Sequence, residues 1–216
     1  MRAIILAGGD QPDPRALSAA WPGWERADLV IGADGGARAA APLALPLHLI
    51  IGDFDTLTAS EVEEFAARGV RVERLPHEKD ATDSESALLT ALDAGATEIV
   101  ILGALGSSGG RSDHALGTIS LLAHPCARGV KLSLLDATSR IQLLVAPVRC
   151  NISARPGAII SLVPWGADAR VTTEGLRWPL RDELLTSGST RGVSNESLGD
   201  LTIDLHEGAL LVSEGA

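Results

Sequence analysis

Up to about residue 135 the chain alternates short apolar runs with segments of helical periodicity, and this alternation constrains the fold more than any other feature. The runs fall at 3–6, 29–31, 47–51, 70–75, 99–102 and 131–135, several of them continuous and β-branched. Continuous apolar strands are the pattern left when both faces of a parallel sheet are covered. The segments between them carry helix punctuation. Thr58 with Glu61 makes a capping box, Val62, Phe65 and Ala66 share one face, and Gly69 supplies a left-handed stop. Thr82 with Glu85 repeats the device ahead of the stripe Ala87, Leu88, Ala91 and Leu92, which Gly95 ends. The pattern predicts an α/β fold with a doubly wound, mainly parallel sheet.

The period changes near residue 138. Short runs at 141–145, 158–163, 169–173, 201–205 and 209–212 lie between clusters of Pro, Gly, Asn and Asp, with no long helical stripe. They predict a small antiparallel β-sandwich or partial barrel. The chain is therefore expected to divide into an α/β domain at 1–137 and a β domain at 138–216. Its 216 residues suffice for both cores.

Charge narrows the partners. With 28 acidic and 18 basic residues the net charge is −10, a surface that repels nucleic acid and anionic lipid. Any anionic ligand must be met locally, by a metal ion, a few cations or backbone amides. The opening apolar run is too short for a signal peptide or a membrane span and reads as a first buried strand. Cys126 and Cys150 form no metal-type spacing and are expected as free thiols in the cytoplasm.

Polar segments follow the predicted strands: Gly8, Gly9 and Asp10; Asp34, Gly35 and Gly36; Asp53, Phe54 and Asp55; Lys79, Asp80, Thr82 and Asp83; and a glycine loop running from Gly103 to Arg111, Asp113 and His114. In a parallel sheet these share the carboxyl edge, where ligands bind. If the backbone is extended, Asp53 and Asp55 face one space, and paired carboxylates repel unless a cation lies between them. Mg2+ suits such a pair; so does a plain solvated acidic turn. Asp34 adds a third carboxylate. Asp83 opens a helix, where the dipole alone favours it, and it also suits a metal. Lys79 is a point charge for a phosphate, Thr82 a helix cap, and Arg111 a planar fork of donors on a glycine loop at a helix start.

The order Asp-Gly-Gly-Ala, Gly-Asp-Phe-Asp-Thr, Lys-Asp-x-Thr-Asp and Gly-Gly-Arg-x-Asp-His resembles the catalytic domain of the thiamin pyrophosphokinase family. Thr172 to Leu180 and Gly192 to Glu196 resemble that family's β domain, so the likeness spans nearly the whole chain. The resemblance implies transfer of the pyrophosphoryl group of ATP to thiamin with release of AMP, in a homodimer whose sites lie across the interface. It implies Asp34, Asp53, Asp55 and Asp83 on Mg2+, and Lys79 and Arg111 on phosphate. It places Gly35, Asp80, Thr82 and Asp113 in the same site, and Ser194 and Asn195 near thiamin. Two departures stand out. The glycine loop is lengthened by Ser107 and Ser108, and Trp178 stands where Tyr is common, with packing of the β domain as its expected role and stacking on the thiamin rings as the alternative. The residues alone also leave open a pyrophosphokinase acting on a pterin-like alcohol, a phosphohydrolase, or a non-catalytic nucleotide- or thiamin-binding module.

Overall fold

The computed structural model describes residues 1–105 and 112–216. The chain forms two compact units, Met1–Ala137 and Thr138–Ala216. The first holds six parallel strands: β1 (Arg2–Leu6), β2 (Leu29–Ala33), β3 (Leu49–Gly52), β4 (Arg71–Arg74), β5 (Glu98–Leu102) and β6 (Lys131–Leu135). Their spatial order is β6-β5-β1-β2-β3-β4. Among the described residues four α-helices accompany them: α1 (Pro14–Ala20), α2 (Ala59–Ala67), α3 (Asp83–Asp93) and α4 (Ser112–Ser120).

Side chains alternate across each strand, which assigns the helices to faces. Ile4 and Leu6 of β1 share a buried cluster with Leu17 of α1, Val30, Val100 and Leu102. Ile50 of β3 packs with Val62 of α2, Phe54, Leu57 and Val70. The opposite face of β1, β2 and β3 carries α3, whose Ala87, Leu88 and Ala91 are buried. Helices on both faces make the sheet doubly wound, as the sequence predicts. The chain steps outward from β1 through β4 and then returns to β5 on the other side of β1. The carboxyl ends flanking β1 therefore border a topological switch point, where a crevice opens in such sheets.

In the second unit one antiparallel sheet joins β8 (Val148–Ile152), β12 (Asn195–Glu207), β10 (Ala169–Leu176) and β11 (Glu183–Leu185). The other joins β7 (Ser139–Val145), β13 (Ala209–Gly215) and β9 (Ile159–Pro164), with Asn195 and Glu196 of β12 pairing on β9. Ile160, Leu162, Val171, Leu201, Ile203, Leu205, Leu210 and Val212 fill the space between them. β12 passes from one sheet to the other at a register shift opposite Glu174 and Leu176. Gly175 makes that bend possible. Its φ is +79°, and a Cβ there would lie 2.4 Å from the Asp200 carbonyl oxygen.

Candidate active site

Three carboxylates of the first unit are delivered to one place by strand ends and a helix start. Asp34 follows β2 and begins the 3-10 helix Asp34–Ala39, Asp53 follows β3, and Asp83 is the first residue of α3. One oxygen from each of the three lies within 4.8 Å of the others. Gly52 sits in their midst: a Cβ there would be 3.0 Å from Asp34 Cβ and 3.2 Å from Asp83 Cγ.

Asp34 is 6% exposed and its backbone is left-handed at φ 41°, a conformation that side chains other than Gly, Asn and Asp avoid. Its Oδ2 accepts from Thr56 N at 3.2 Å, while its buried Oδ1 has no hydrogen-bond partner among the described residues. Asp53 Oδ2 lies 3.0 Å from both Lys79 Nζ and His77 Nδ1. Lys79 Nζ is also 3.1 Å from Asp83 Oδ1, close enough for charge attraction but without hydrogen-bond direction, so that buried oxygen too is unsatisfied.

These contacts set the proton affinities. The Lys79 ammonium, helped by His77 and the Asp55 N–H, holds the Asp53 carboxyl below its ordinary value against the opposing effect of burial. Asp83 goes the other way. Burial raises it first, the charges of Asp53 and Asp34 add to that, and Lys79 only partly opposes them. Burial works to lower Lys79, but its bond to Asp53 and the adjacent charge of Asp83 outweigh that and leave it raised. Three crowded carboxylates with one ammonium leave negative charge uncompensated, and two buried oxygens lack donors. That arrangement fits a small, hard cation with oxygen ligands.

A second grouping joins Asp53 and Asp55 with His77. The expected extended backbone from Asp53 to Asp55 is not what brings the two carboxylates together. Phe54 is left-handed at φ 59°, its ring buried with Ile50, Leu57 and Val62 and lying 4.7 Å from the Arg74 guanidinium. Burying the ring turns the chain, and Asp55 emerges exposed, with its Oδ1 accepting from Thr56 Oγ1 at 3.0 Å.

The groups line one cleft of about 620 Å³ at the carboxyl edge of the sheet. Asp34, Gly35, Asp53, Asp55, Lys79, Thr82 and Asp83 all border it, together with Gly8, Gly9, Asp10 and Gly103. Asp80 is exposed and outside the lining. Asp113 is exposed on the first turn of α4, and the next residue, His114, reaches the cleft instead. Arg111 and the lengthened glycine loop lie outside the described residues. Among the lining residues, the basic side chains that the sequence analysis does not single out are Arg38 and His77. Their only signal is distance along the chain, four residues after Asp34 and two before Lys79.

In the β unit, Ser194 is exposed at φ 59°, and its N–H donates to Ser161 Oγ at 3.1 Å. Asn195 is buried and spends both ends of its amide on Trp178. Oδ1 accepts from Trp178 N at 3.1 Å, and Nδ2 donates to Trp178 O at 2.7 Å. The expectation that Trp178 packs the β domain is corrected. Trp178 is 52% exposed, with the Arg177 guanidinium 5.4 Å from its ring centroid. Pro179 follows it, and Asn195 fixes its backbone so that the next inward residue is Leu180, fully buried.

Fold and cleft define a class: a parallel α/β unit with an acidic, cation-ready crevice at its switch point, followed by an antiparallel β unit. Comparison with known proteins narrows it. Residues 21–134 match the family model for the thiamin pyrophosphokinase catalytic domain, and residues 148–210 the model for the thiamin pyrophosphokinase vitamin B1 binding domain. The thiamine pyrophosphokinase of Bacillus subtilis is 32% identical over 195 residues, covering 89% of this chain and 87% of that one. Thiamine pyrophosphokinase 1 of Arabidopsis thaliana is 31% identical over 196 residues, covering 80% and 72%. Among solved structures, the Bacillus subtilis thiamine pyrophosphokinase superposes with a TM-score of 0.85 at 30% identity, covering 100% of this chain and 99% of that one. Yeast thiamin pyrophosphokinase, at 20% identity and a TM-score of 0.78 over 99% and 86%, shares the fold. The chain belongs to the thiamin pyrophosphokinase family.

Proposed function

We propose that this chain is an ATP-dependent thiamin diphosphokinase, moving the pyrophosphoryl group of ATP to the hydroxyl of thiamin and releasing AMP. The observation that carries it is the gathering of Asp34, Asp53 and Asp83 around buried oxygens that lack donors, in a chain of this family. Asp34, Asp53, Asp55 and Asp83 would hold Mg2+, which when bound supplies the positive charge that neutralises phosphate oxygens. Lys79, with Arg111, would serve phosphate. Gly35 and Thr82 border the same cleft, whereas Asp80 and Asp113, which the family likeness puts in the site, lie outside its lining. The hydroxyl oxygen of thiamin attacks the β-phosphorus in line, the bond from that phosphorus to the oxygen it shares with the α-phosphate breaks, and AMP leaves. The hydroxyl proton passes to a carboxylate; Asp55 borders the cleft and suits the task better than Asp113.

In this reading residues 1–137 form the catalytic unit, and 138–216 take thiamin and form the dimer. Ser194 would meet thiamin, while Asn195 shapes the Trp178 segment beside it. No helix among the described residues is long and apolar enough to cross a membrane, and Cys126 and Cys150 are unpaired thiols, which suits work in the cytoplasm.

Incubation with ATP, Mg2+ and thiamin should yield AMP and thiamin diphosphate in equal amounts. ADP with thiamin monophosphate would mark an ordinary kinase, and free phosphate alone a hydrolase; either rejects the assignment. Asp53→Ala and Asp55→Ala should abolish turnover with an unchanged circular dichroism spectrum. Near-normal turnover in both would sink the metal role.

A further inference from the structure

We propose that Arg38 is a phosphate-binding residue of the cleft and that Glu61 is its positioning residue, an assignment that rests on the nucleotide reading above. Arg38 Nε donates to Glu61 Oε1 at 2.6 Å and Nη2 to Glu61 Oε2 at 2.8 Å, so the carboxylate grips the guanidinium with both oxygens. Nη2 also donates to the Thr56 carbonyl at 2.9 Å. Glu61 is itself fixed in the first turn of α2, where Oε2 accepts from Thr58 N at 2.8 Å. The planar fork of an arginine held on one edge presents its remaining nitrogen with little rotamer freedom left to lose.

The charge layout of the cleft gives that nitrogen a use. Asp10, Asp34, Asp53, Asp55 and Asp83 line it, so a triphosphate entering there meets carboxylates unless cations intervene. Among the described lining residues, the permanently cationic side chains are Arg38 and Lys79. Lys79 is held by two carboxylates inside the cleft, whereas the countercharge of Arg38, Glu61, lies outside its lining. Nη1 of Arg38 has no hydrogen-bond partner among the described residues. It faces Gly35, where a Cβ would be 3.9 Å from Nη1 and 2.7 Å from Thr56 Cγ2. A side chain at position 35 would press on Thr56 and meet Nη1 only at ordinary van der Waals distance, so Nη1 borders the cleft beside an uncrowded glycine. A surface ion pair made only to tie the 3-10 helix to α2 would contribute little and need none of this.

The two readings separate in measurements on the full chain. ATP binding with Mg2+ is followed by calorimetry in the wild type, Arg38→Gln, Arg38→Lys, Glu61→Gln and the Arg38→Gln/Glu61→Gln double variant, alongside thermal midpoints. Arg38→Gln should weaken ATP about tenfold or more, the scale of one hydrogen bond to a charged group. Its thermal midpoint should fall no further than that of Glu61→Gln, which breaks the same ion pair, and its KM for thiamin should stay near that of the wild type. Arg38→Lys should recover part of the loss. Glu61→Gln, which keeps a carbonyl oxygen for Thr58 N, should weaken ATP by a smaller factor, about threefold, as expected when positioning rather than contact is lost. The double variant should bind like Arg38→Gln alone, because Glu61 acts through Arg38. Wild-type affinity in Arg38→Gln overturns the proposal. So does a Glu61→Gln loss that adds in full to that of Arg38→Gln, or a loss that only follows a fallen thermal midpoint. If the wild type binds ATP yet forms no AMP with thiamin, the transferase reading fails while the Arg38 comparison still stands or falls on the binding data.

Discussion

Gly52 shows how tightly single residues define this site. A methyl group there would press on Asp34 Cβ at 3.0 Å and on the Asp83 carboxyl at 3.2 Å, moving two of the three grouped carboxylates at once. Overpacking of this kind costs about 1–3 kcal/mol. Gly52→Ala is therefore expected to lose cation affinity at least as sharply as stability, and Mn2+ titration by electron paramagnetic resonance would show it; wild-type Mn2+ affinity would refute the crowding argument. Asp83 offers the converse test. Its carboxyl is raised by burial and has an unsatisfied oxygen, so Asp83→Asn should stabilise the protein in chelator by on the order of 1 kcal/mol while weakening cation binding. Urea unfolding with and without Mg2+ measures both, and a destabilised Asn variant in chelator contradicts it. The carboxylates were legible in the sequence because each follows a strand or opens a helix, positions a parallel sheet brings to one edge. Arg38 and His77 were not, because a lone basic side chain carries no periodic signal and gains meaning only from what folds beside it.

Among the elements, α2 and α3 are built on the same plan but completed differently. Thr58 and Glu61 close a reciprocal capping box, with Thr58 Oγ1 accepting from Glu61 N and Glu61 Oε2 accepting from Thr58 N. In α3, Thr82 accepts from Glu85 N, but the Glu85 carboxylate lies 3.5 Å from His124 instead of reaching back. Thr58→Ala should cost about 1 kcal/mol by urea unfolding, the usual loss of such a cap. Glu61 adds a pH signature. Its bonds to Arg38, then to Thr58, lower its carboxyl to about 2 from an ordinary 4.5. A depressed carboxylate contributes its stability above the ordinary value and loses it as pH falls through the depressed one. The gap in stability between wild type and Glu61→Gln should therefore be complete above pH 4.5 and close towards pH 2. An unchanged gap at pH 2 would mean the charge is not responsible. Both helices were readable from their caps and stripes. Among the described strands and α-helices, three were not. β8 interrupts its apolar pattern with Arg149, Cys150 and Asn151, and β11 is a three-residue edge strand. α1 buries only Leu17, although Asp13 and Pro14 mark its start.

At the scale of the whole molecule, the parallel sheet and the antiparallel unit were both legible, since one rests on continuous apolar runs and the other on alternation. The cleft was legible only as a shared edge, because the turn at Phe54 that exposes Asp55 is made for reasons of packing. A cation that binds the folded cleft and not the unfolded chain stabilises by mass action, about 2.7 kcal/mol at a hundred times its Kd. The thermal midpoint should therefore climb with Mg2+ in the wild type and stay flat in Asp53→Ala; equal rises in both would place the cation elsewhere. The bent strand β12 has a consequence of its own. One unbroken backbone run serves two sheets, so a tear opening along either must propagate through it into the other. Deuterium uptake across Asn195–Glu207 should accordingly follow one kinetic phase, and the β unit should unzip in a single event.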